Sequence, residues 1–250
     1  MKDFDKLSGG IASGAHLLRQ AESVVVLTGA GVSKESGIPT FREAQTGLWA
    51  NYEPEKLATV EGFVTDPELV WTWYDWRRKI VSTVKPNPGH FALVELESLV
   101  PSFTLITQNV DGLHGLAGSR NIIELHGNIA RHKCLKFGHR SINVPTDLSE
   151  PPKCHCGSLI RPDVVWFGEA LDNNNLAASL AAAEVADVFL IVGTSGLVQP
   201  AASFPNAAKR CGARLIEINP EQTPLTDSVD VFLKGASGVI LPQLMESLKR

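Results

Sequence analysis

The chain has no excess of basic residues: 23 Lys and Arg face 27 Asp and Glu, a formal net charge of −4. That excludes a surface built to coat nucleic acid, which needs a basic stripe. No apolar run approaches the roughly 20 residues of a membrane span. The N-terminus, MKDFDKLSGG, has no long apolar core of the kind that marks a secretory signal. The expectation is a cytoplasmic monomer that binds neither nucleic acid nor membrane. Cysteine is scarce as well. Three residues cluster (Cys134, Cys154, Cys156) and one is distant (Cys211), which is not a secreted disulfide framework. Cys211, in KRCGARL, reads as a small buried residue. Internal repeats and low-complexity tracts are missing, and VPTDLSEPPKCHCG is the one clear shift in composition. What is present, 44% hydrophobic and 20% charged residues in a chain of 250, suffices for one large domain or a domain with a small insert.

Four segments share one form, an apolar run followed by small or polar residues: SVVVLTGAGVS (23–33), FTLITQNVDGLH (103–114), DVFLIVGTSGLVQP (187–200) and ARLIEINPE (213–221). Continuous β-branched runs suit strands buried on both faces of a parallel sheet. Helical patterns such as NPGHFALVELESL and NNLAASLAAAEVAD separate them, so the alternation predicts an α/β doubly wound fold. Two stretches interrupt it. Residues 41–84 are aromatic-rich and helical, and residues 130–165 hold three cysteines and the Pro-rich run. Both read as insertions that together form a smaller lobe, leaving 1–40, 85–129 and 166–250 as the sheet domain. Ligands of such sheets bind beyond the strand C-termini, where the polar ends of the four segments lie.

The first of those ends, TGAGVSKESGIPTFR, places Gly29 and Gly31 after a strand, where backbone can approach a phosphate and a helix N-terminus can favour an anion. The dinucleotide fingerprint is incomplete, because Lys34 stands where its third glycine would be. Arg42 suits a phosphate or a plain surface charge. GTSGLVQP and EINPE each read alone as turns. Four such ends on one sheet favour a nucleotide. Gln108, Asn109 and Asp111 follow a strongly apolar strand, although Asn and Asp are also ordinary turn formers. His126 lies just beyond the strand-like NIIEL, a position for a structural histidine or for a general base titrating near working pH.

The helix expected to open at Asp66 and Pro67 contains WTWYDWRRK, residues 71–79. At about 100° per residue, Glu68, Thr72, Asp75, Lys79 and Ser82 share a polar face. Leu69, Val70, Trp73, Ile80, Val81 and Val84 share an apolar one. Arg77 falls within the apolar face, one turn after Tyr74. A buried arginine requires an anion. Asp66, Glu68 or a distant carboxylate could serve, or the anion could arrive with a substrate. An Arg fork matches a carboxylate at two points and a Tyr hydroxyl can add a third.

Taken in order, GAGVSKESGIPTFR, TQNVDGLH, ELHGN, RPDVVWFGE, GTSGLVQP and EINPE resemble the motif series of the sirtuins, the NAD-dependent protein deacylases. The resemblance spans about residues 20–240. It implies a Rossmann-like parallel sheet with helices on both faces, plus an inserted lobe made of a helical module and a degenerate zinc-ribbon-like module. It implies NAD as a consumed co-substrate and an acyl-lysine protein or peptide in the cleft between the two. Gly29, Ala30, Gly31, Phe41 and Arg42 would line the NAD phosphates and nicotinamide ribose. Gln108, Asn109 and Asp111 would form the nicotinamide pocket, and Gly193, Thr194, Ser195, Asn219 and Ala236 would hold the adenosine half. His126, with Asn109 and Asp111, would carry the chemistry, accepting a proton relayed from the ribose hydroxyls. The products would be free lysine, nicotinamide and an O-acyl-ADP-ribose. Val164, Trp166, Phe167, Gly168 and Glu169 would pair edge-on with the substrate backbone.

YDWRR resembles the Tyr-x-x-Arg signature of the sirtuin class that removes succinyl, malonyl and glutaryl groups, and LAT (57–59) is similar to that class too. Tyr74 and Arg77 would then read the acyl carboxylate, and a small Ala58 would widen the pocket. Where most sirtuins carry two cysteine pairs for a structural zinc, this chain has Phe137 in place of one cysteine and a compressed Cys154–Cys156 pair. Cys134, Cys154 and Cys156 remain for a metal that needs four ligands. Either His132, His139 or His155 supplies the fourth, or the lobe is metal-free and packs around Phe137. Other readings are a plain deacetylase, mono-ADP-ribosyl transfer, and a non-catalytic NAD or ADP-ribose sensor. The presence of His126, Asn109 and Asp111 argues against the sensor. The incomplete fingerprint argues against a dehydrogenase.

Overall fold

A computed structural model describes residues 2–39, 54–141, 144–145 and 148–250. Ten helices and nine strands are described. They run α1 (Lys2–Gln20), β1 (Ser23–Thr28), α2 (Ala30–Lys34), α3 (Pro54–Leu57), α4 (Val60–Thr65), α5 (Pro67–Thr83), α6 (Pro88–Leu99), β2 (Ser102–Thr107), α7 (Leu113–Ala117), β3 (Ile122–Glu124) and β4 (Gly127–Cys134). There follow β5 (Arg140–Ser141), β6 (Ile160–Val164), α8 (Asn173–Glu184), β7 (Val188–Val192), α9 (Phe204–Arg210), β8 (Arg214–Asn219), β9 (Val231–Lys234) and α10 (Ser237–Leu248).

Six strands form one sheet in the order β3-β2-β1-β7-β8-β9, every pair parallel. In chain order that is 3-2-1-4-5-6, the dinucleotide-binding arrangement. The apolar runs are buried on both faces, as their composition predicts. On β1, Val24 and Val26 join a core with α1, α6 and α10, while Val25 and Leu27 join the core on the α8 and α9 side. Each such side chain contributes roughly 1.5–3 kcal/mol by leaving water. β9 escapes the sequence reading because VFLK is short and only half buried. Cys211 is exposed, contrary to expectation, because it follows the solvent-facing last turn of α9 at Lys209 and Arg210.

The smaller lobe joins the two insertions. α5 starts as expected: the Asp66 side chain accepts from Leu69 N at 3.0 Å and Pro67 occupies the first turn. Its apolar face, with Trp73 and Tyr74, packs with Leu57, Ala58 and Phe63 against Ile129 and Val164 of an antiparallel sheet ordered β5-β4-β6 and against Trp166 just beyond β6. Trp71 Nε1 donates to the Leu148 carbonyl at 3.0 Å, tying the helix to the Pro-rich run. Gly127 makes the crossing from the large sheet possible. It lies at φ 80°, and a Cβ there would collide with the Asp163 carbonyl. No described helix is long and apolar enough to cross a membrane.

Candidate active site

A cavity of about 840 Å³ opens at the C-terminal ends of β1, β2 and β7 and continues under the smaller lobe. β1 and β7 are adjacent, so this is the point where strand order reverses and the loops part. Gly29, Ala30 and Gly31 line it from one side, and Gly193, Thr194 and Ser195 from the other. The two loops are bolted together: Gly29 N donates to the Val192 carbonyl at 3.1 Å and Gly31 N to the Gly193 carbonyl at 2.8 Å. A Cβ on Gly31 would lie 2.7 Å from that carbonyl oxygen, so only glycine permits the approach.

Gln108, Asn109 and Asp111 line the same cavity. Gln108 Nε2 donates to Thr194 Oγ1 at 2.9 Å, joining the β2 loop to the β7 loop. Asn109 Nδ2 donates to the Gly29 carbonyl at 3.0 Å and to Ser33 Oγ at 3.1 Å. Asp111 accepts from Ser33 Oγ at 2.7 Å and from Leu113 N at 2.9 Å. Burial pushes the Asp111 carboxyl up, while those two donors and the positive field of Arg77 oppose the shift. Ser33 is a site residue that sequence reasoning missed. The small-residue run GAGVS signalled a loop but not a partner 78 residues away. Phe41 and Arg42 lie outside the described residues. Asn219 and Ala236 do not line the cavity. Asn219 Nδ2 holds the Thr194 carbonyl at 2.7 Å, and Ala236 is the residue before α10.

Beneath these loops lies a buried polar cluster. Thr28 Oγ1 bonds Thr107 Oγ1 at 2.8 Å and His114 Nε2 at 3.0 Å, and the His90 ring sits 4.8 Å from that of His114. Thr107 Oγ1 also accepts from Asn109 N at 3.0 Å, so the cluster fixes the loop above it. Burial lowers His90 to about 4, and burial together with His90 lowers His114 to about 3. Both are neutral in the fold and charged in the unfolded chain below pH 6.5, so unfolding takes up protons there. The contribution of these two histidines to stability is therefore complete above pH 6.5. Denaturant titrations are expected to show it falling as pH drops from 6.5 through about 4. A flat profile between 6.5 and 4.5 would contradict this.

His126 sits between β3 and β4 and lines the cavity. Its Nδ1 lies 3.0 Å from the Gln108 carbonyl, which can only accept. Nδ1 therefore carries the proton and Nε2 keeps a lone pair. Burial lowers its pKa, with the Gln108 bond opposing. A neutral imidazole of fixed tautomer is what a general base requires.

The far wall belongs to the smaller lobe. Ala58, Tyr74 and Arg77 line it with Val164, Trp166, Phe167, Gly168 and Glu169. Burial pushes the Arg77 guanidinium down and Tyr74 and Asp111 push it back. Burial also raises the Tyr74 phenol, with Arg77 opposing. Among the described residues, Asp111 is a distant carboxylate that acts on Arg77. Trp166 Nε1 donates to Tyr74 Oη at 2.8 Å. Arg161 fixes Trp166 in turn: its guanidinium lies 3.3 Å from the indole centroid and forks onto Glu169, which also accepts from Trp166 N at 2.8 Å. The amides of Val165 and Phe167 bond the His126 and Ala58 carbonyls, both at 2.9 Å, so a peptide strand alongside would have to use other groups of this segment.

A third cluster lies at the tip of the lobe. The ligand atoms of Cys134, His139, Cys154 and Cys156 all lie within 4.8 Å of one another. Of the three histidines open from sequence, His139 alone places a ring nitrogen within that reach of all three sulfurs. The His132 ring packs on Trp71 with centroids 5.5 Å apart, and His155, though its Nδ1 lies 3.5 Å from Cys154 Sγ, is not in the group. Phe137 is 59% exposed, so the lobe does not pack around it.

A model of the Sir2 family matches residues 29–200. The chain belongs to the Sir2 family. It is 51% identical over 237 residues to the NAD-dependent protein deacylase 2 of Pyrobaculum aerophilum, covering 94% of this chain and 95% of that protein. A solved Sir2 homologue–NAD complex superposes with a TM-score of 0.88 at 45% identity, covering 94% of this chain and 92% of that one. A Sir2–p53 peptide–NAD+ complex superposes with a TM-score of 0.81 at 31% identity, covering 92% and 95%. The sirtuin resemblance read from the ordered motifs is therefore shown, with its α/β sheet and added lobe.

Proposed function

We propose that the chain is an NAD-dependent protein-lysine deacylase that prefers acidic acyl groups (succinyl, malonyl, glutaryl) and removes acetyl groups more weakly. One observation carries the reading. A single cavity joins the glycine loops and His126 at one end to Tyr74 and Arg77 at the other. Relatives about half identical bear the deacylase name, and a family member has been solved with both a peptide and NAD.

The residues fit NAD. Two small-residue loops meet at the strand-order switch, Gln108 and Asn109 offer amides, and Asp111 supplies a buried carboxylate. NAD supplies a sugar carbon whose nicotinamide leaving group can be displaced. Asn109 and Asp111, held by Ser33, position what binds there. The neutral His126 takes up a proton at Nε2. The lobe above the cavity keeps bulk water from the reacting atoms. Ala58 leaves room for an acyl chain longer than acetyl. Arg77 receives its carboxylate by a two-point fork.

Tyr74 is oriented for the same task. Its oxygen accepts from Trp166, so its own O–H remains to donate. Trp166→Phe is expected to lower the preference for succinyl over acetyl about 3–10-fold, the worth of one neutral hydrogen bond. Competition between the two peptides measures it, and an unchanged ratio would remove Tyr74 from the recognition scheme.

A panel of acyl-lysine peptides with NAD, read by mass spectrometry, tests the whole reading. Succinyl and malonyl peptides are expected to turn over with higher kcat/KM than acetyl. The reverse order would assign a plain deacetylase.

A further inference from the structure

We propose that the tip of the smaller lobe binds one zinc ion through Cys134, Cys154, Cys156 and His139, an imidazole replacing the fourth thiolate expected of this family. The distances suit it. Cys134 Sγ lies 3.4 Å from Cys156 Sγ, and His139 Nδ1 lies 3.7 Å from Cys154 Sγ. His155 Nδ1 is 3.5 Å from Cys154 Sγ, but it is the His139 ring that comes within 4.8 Å of all three sulfurs. Tetrahedral zinc with Zn–S about 2.3 Å and Zn–N about 2.0 Å separates its ligand atoms by about 3.5–3.8 Å. Three thiols and one imidazole, with no oxygen ligand, are a zinc donor set.

The backbone presents these groups on two tight turns. Cys134 N donates to the His139 carbonyl at 2.8 Å and Gly138 N to the Cys134 carbonyl at 3.0 Å. On the other turn, Cys154 N donates to the Ser158 carbonyl at 2.7 Å and Gly157 N to the Cys154 carbonyl at 2.8 Å. The apolar core under them consists of Cys134, Cys154 and Ile160, with Val144 against it. A core so small calls for a further staple, and a structural metal is one that three thiols and an imidazole can hold.

The two departures from the family pattern are what hold the substitute ligand. The His139 ring stacks on Phe137, centroids 5.4 Å apart at 25°, and on His155, 4.7 Å apart at 15°. Phe137 takes the place of a cysteine, and His155 is the single residue inside the compressed cysteine pair. Both rings pin the imidazole so that Nδ1 faces the sulfurs. Four protein ligands leave no open position, so the ion is a structural tie and not a catalyst.

The test measures metal directly, on the full chain under reducing conditions. Zinc content and competition with a chromogenic chelator are expected to give about one zinc per chain. His139→Ala should weaken binding beyond the 10–100-fold that loss of an outer partner costs, and His155→Ala should fall within that range. His139→Cys should keep the metal. Cobalt substitution gives a readout that survives if His139→Ala does not fold. The wild-type protein should show tetrahedral d–d bands that move to lower energy in His139→Cys as a fourth thiolate replaces imidazole. The proposal is overturned if the wild-type chain takes up no zinc, if His139→Ala binds it equally well, if the two cobalt spectra coincide, or if a Cys134–Cys156 disulfide persists with reductant and zinc present.

Discussion

Replacing His126 by alanine is expected to lower kcat for nicotinamide release from NAD, in the presence of an acyl-lysine peptide, by about 10²–10⁴-fold, the contribution of a positioned general base. The argument rests on which nitrogen is free. The Gln108 carbonyl takes the Nδ1 proton and so dedicates Nε2 to accepting one. Burial lowers the pKa below the ordinary 6.5, so the imidazole is neutral at and above that pH. Activity limited by His126 is therefore full at neutral pH and is lost only as pH falls through the lowered value. Titration of His126 itself gives no loss on the alkaline side. A wild-type profile whose acid limb lies above 6.5 would point to another group. Equal nicotinamide release by His126→Ala would remove His126 as the base, and no release by the wild-type chain would favour a binding protein over an enzyme. Asn109 and Asp111 should keep their geometry in the variant, because their partners are Gly29, Ser33 and Leu113 rather than His126.

Arg77→Met is expected to reduce kcat/KM for succinyl-lysine peptides about 10²–10³-fold while leaving acetyl-lysine peptides within about threefold. Truncating one partner of a buried, hydrogen-bonded charge pair costs about 2–5 kcal/mol. Methionine keeps the reach of the side chain but neither charge nor fork. The loss should appear mainly in KM, because the acyl carboxylate lies at the far end from the reacting bond and is bound alike in ground and transition states. Arg77→Lys should fall between the two, since a lysine offers charge without two-point geometry. Equal losses for succinyl and acetyl peptides would assign Arg77 a structural role, through its stacking on Trp73 at 4.9 Å and the field it shares with Asp111.

Much of this was legible in one dimension because its causes are local. Asp66 and Pro67 start α5 through bonds and torsions within one turn of each other. The periodicity of that helix puts Tyr74 and Arg77 on one side, and they do line one cavity. The β-branched runs announce strands buried on both faces. The order of the motifs names the Sir2 family outright. Other features depend on contacts between distant residues. Ser33 meets Asp111 across two strand ends, and Trp166 reaches Tyr74 across 92 residues. Neither pairing leaves a trace in local spacing. β9 was invisible because four residues carry too little periodicity to outweigh their flanks.

The metal lobe divides the two kinds of knowledge most clearly. The sequence by itself determined that three cysteines remain and that three histidines stand near enough in the chain to offer a fourth ligand, with a metal-free lobe as the alternative. It also determined which functional groups the cavity can offer, because imidazole, amides, carboxylate and guanidinium are properties of residue type. Only the tertiary structure shows which histidine gathers with the three cysteines. His132 lies on β4 and its ring turns to Trp71, while the next turn brings His139 back to the sulfurs between Phe137 and His155. The physical reason is that a ligand must be the right atom in the right place. Composition supplies the atom, and the place is set by where the strands of the small sheet end and how their turns close.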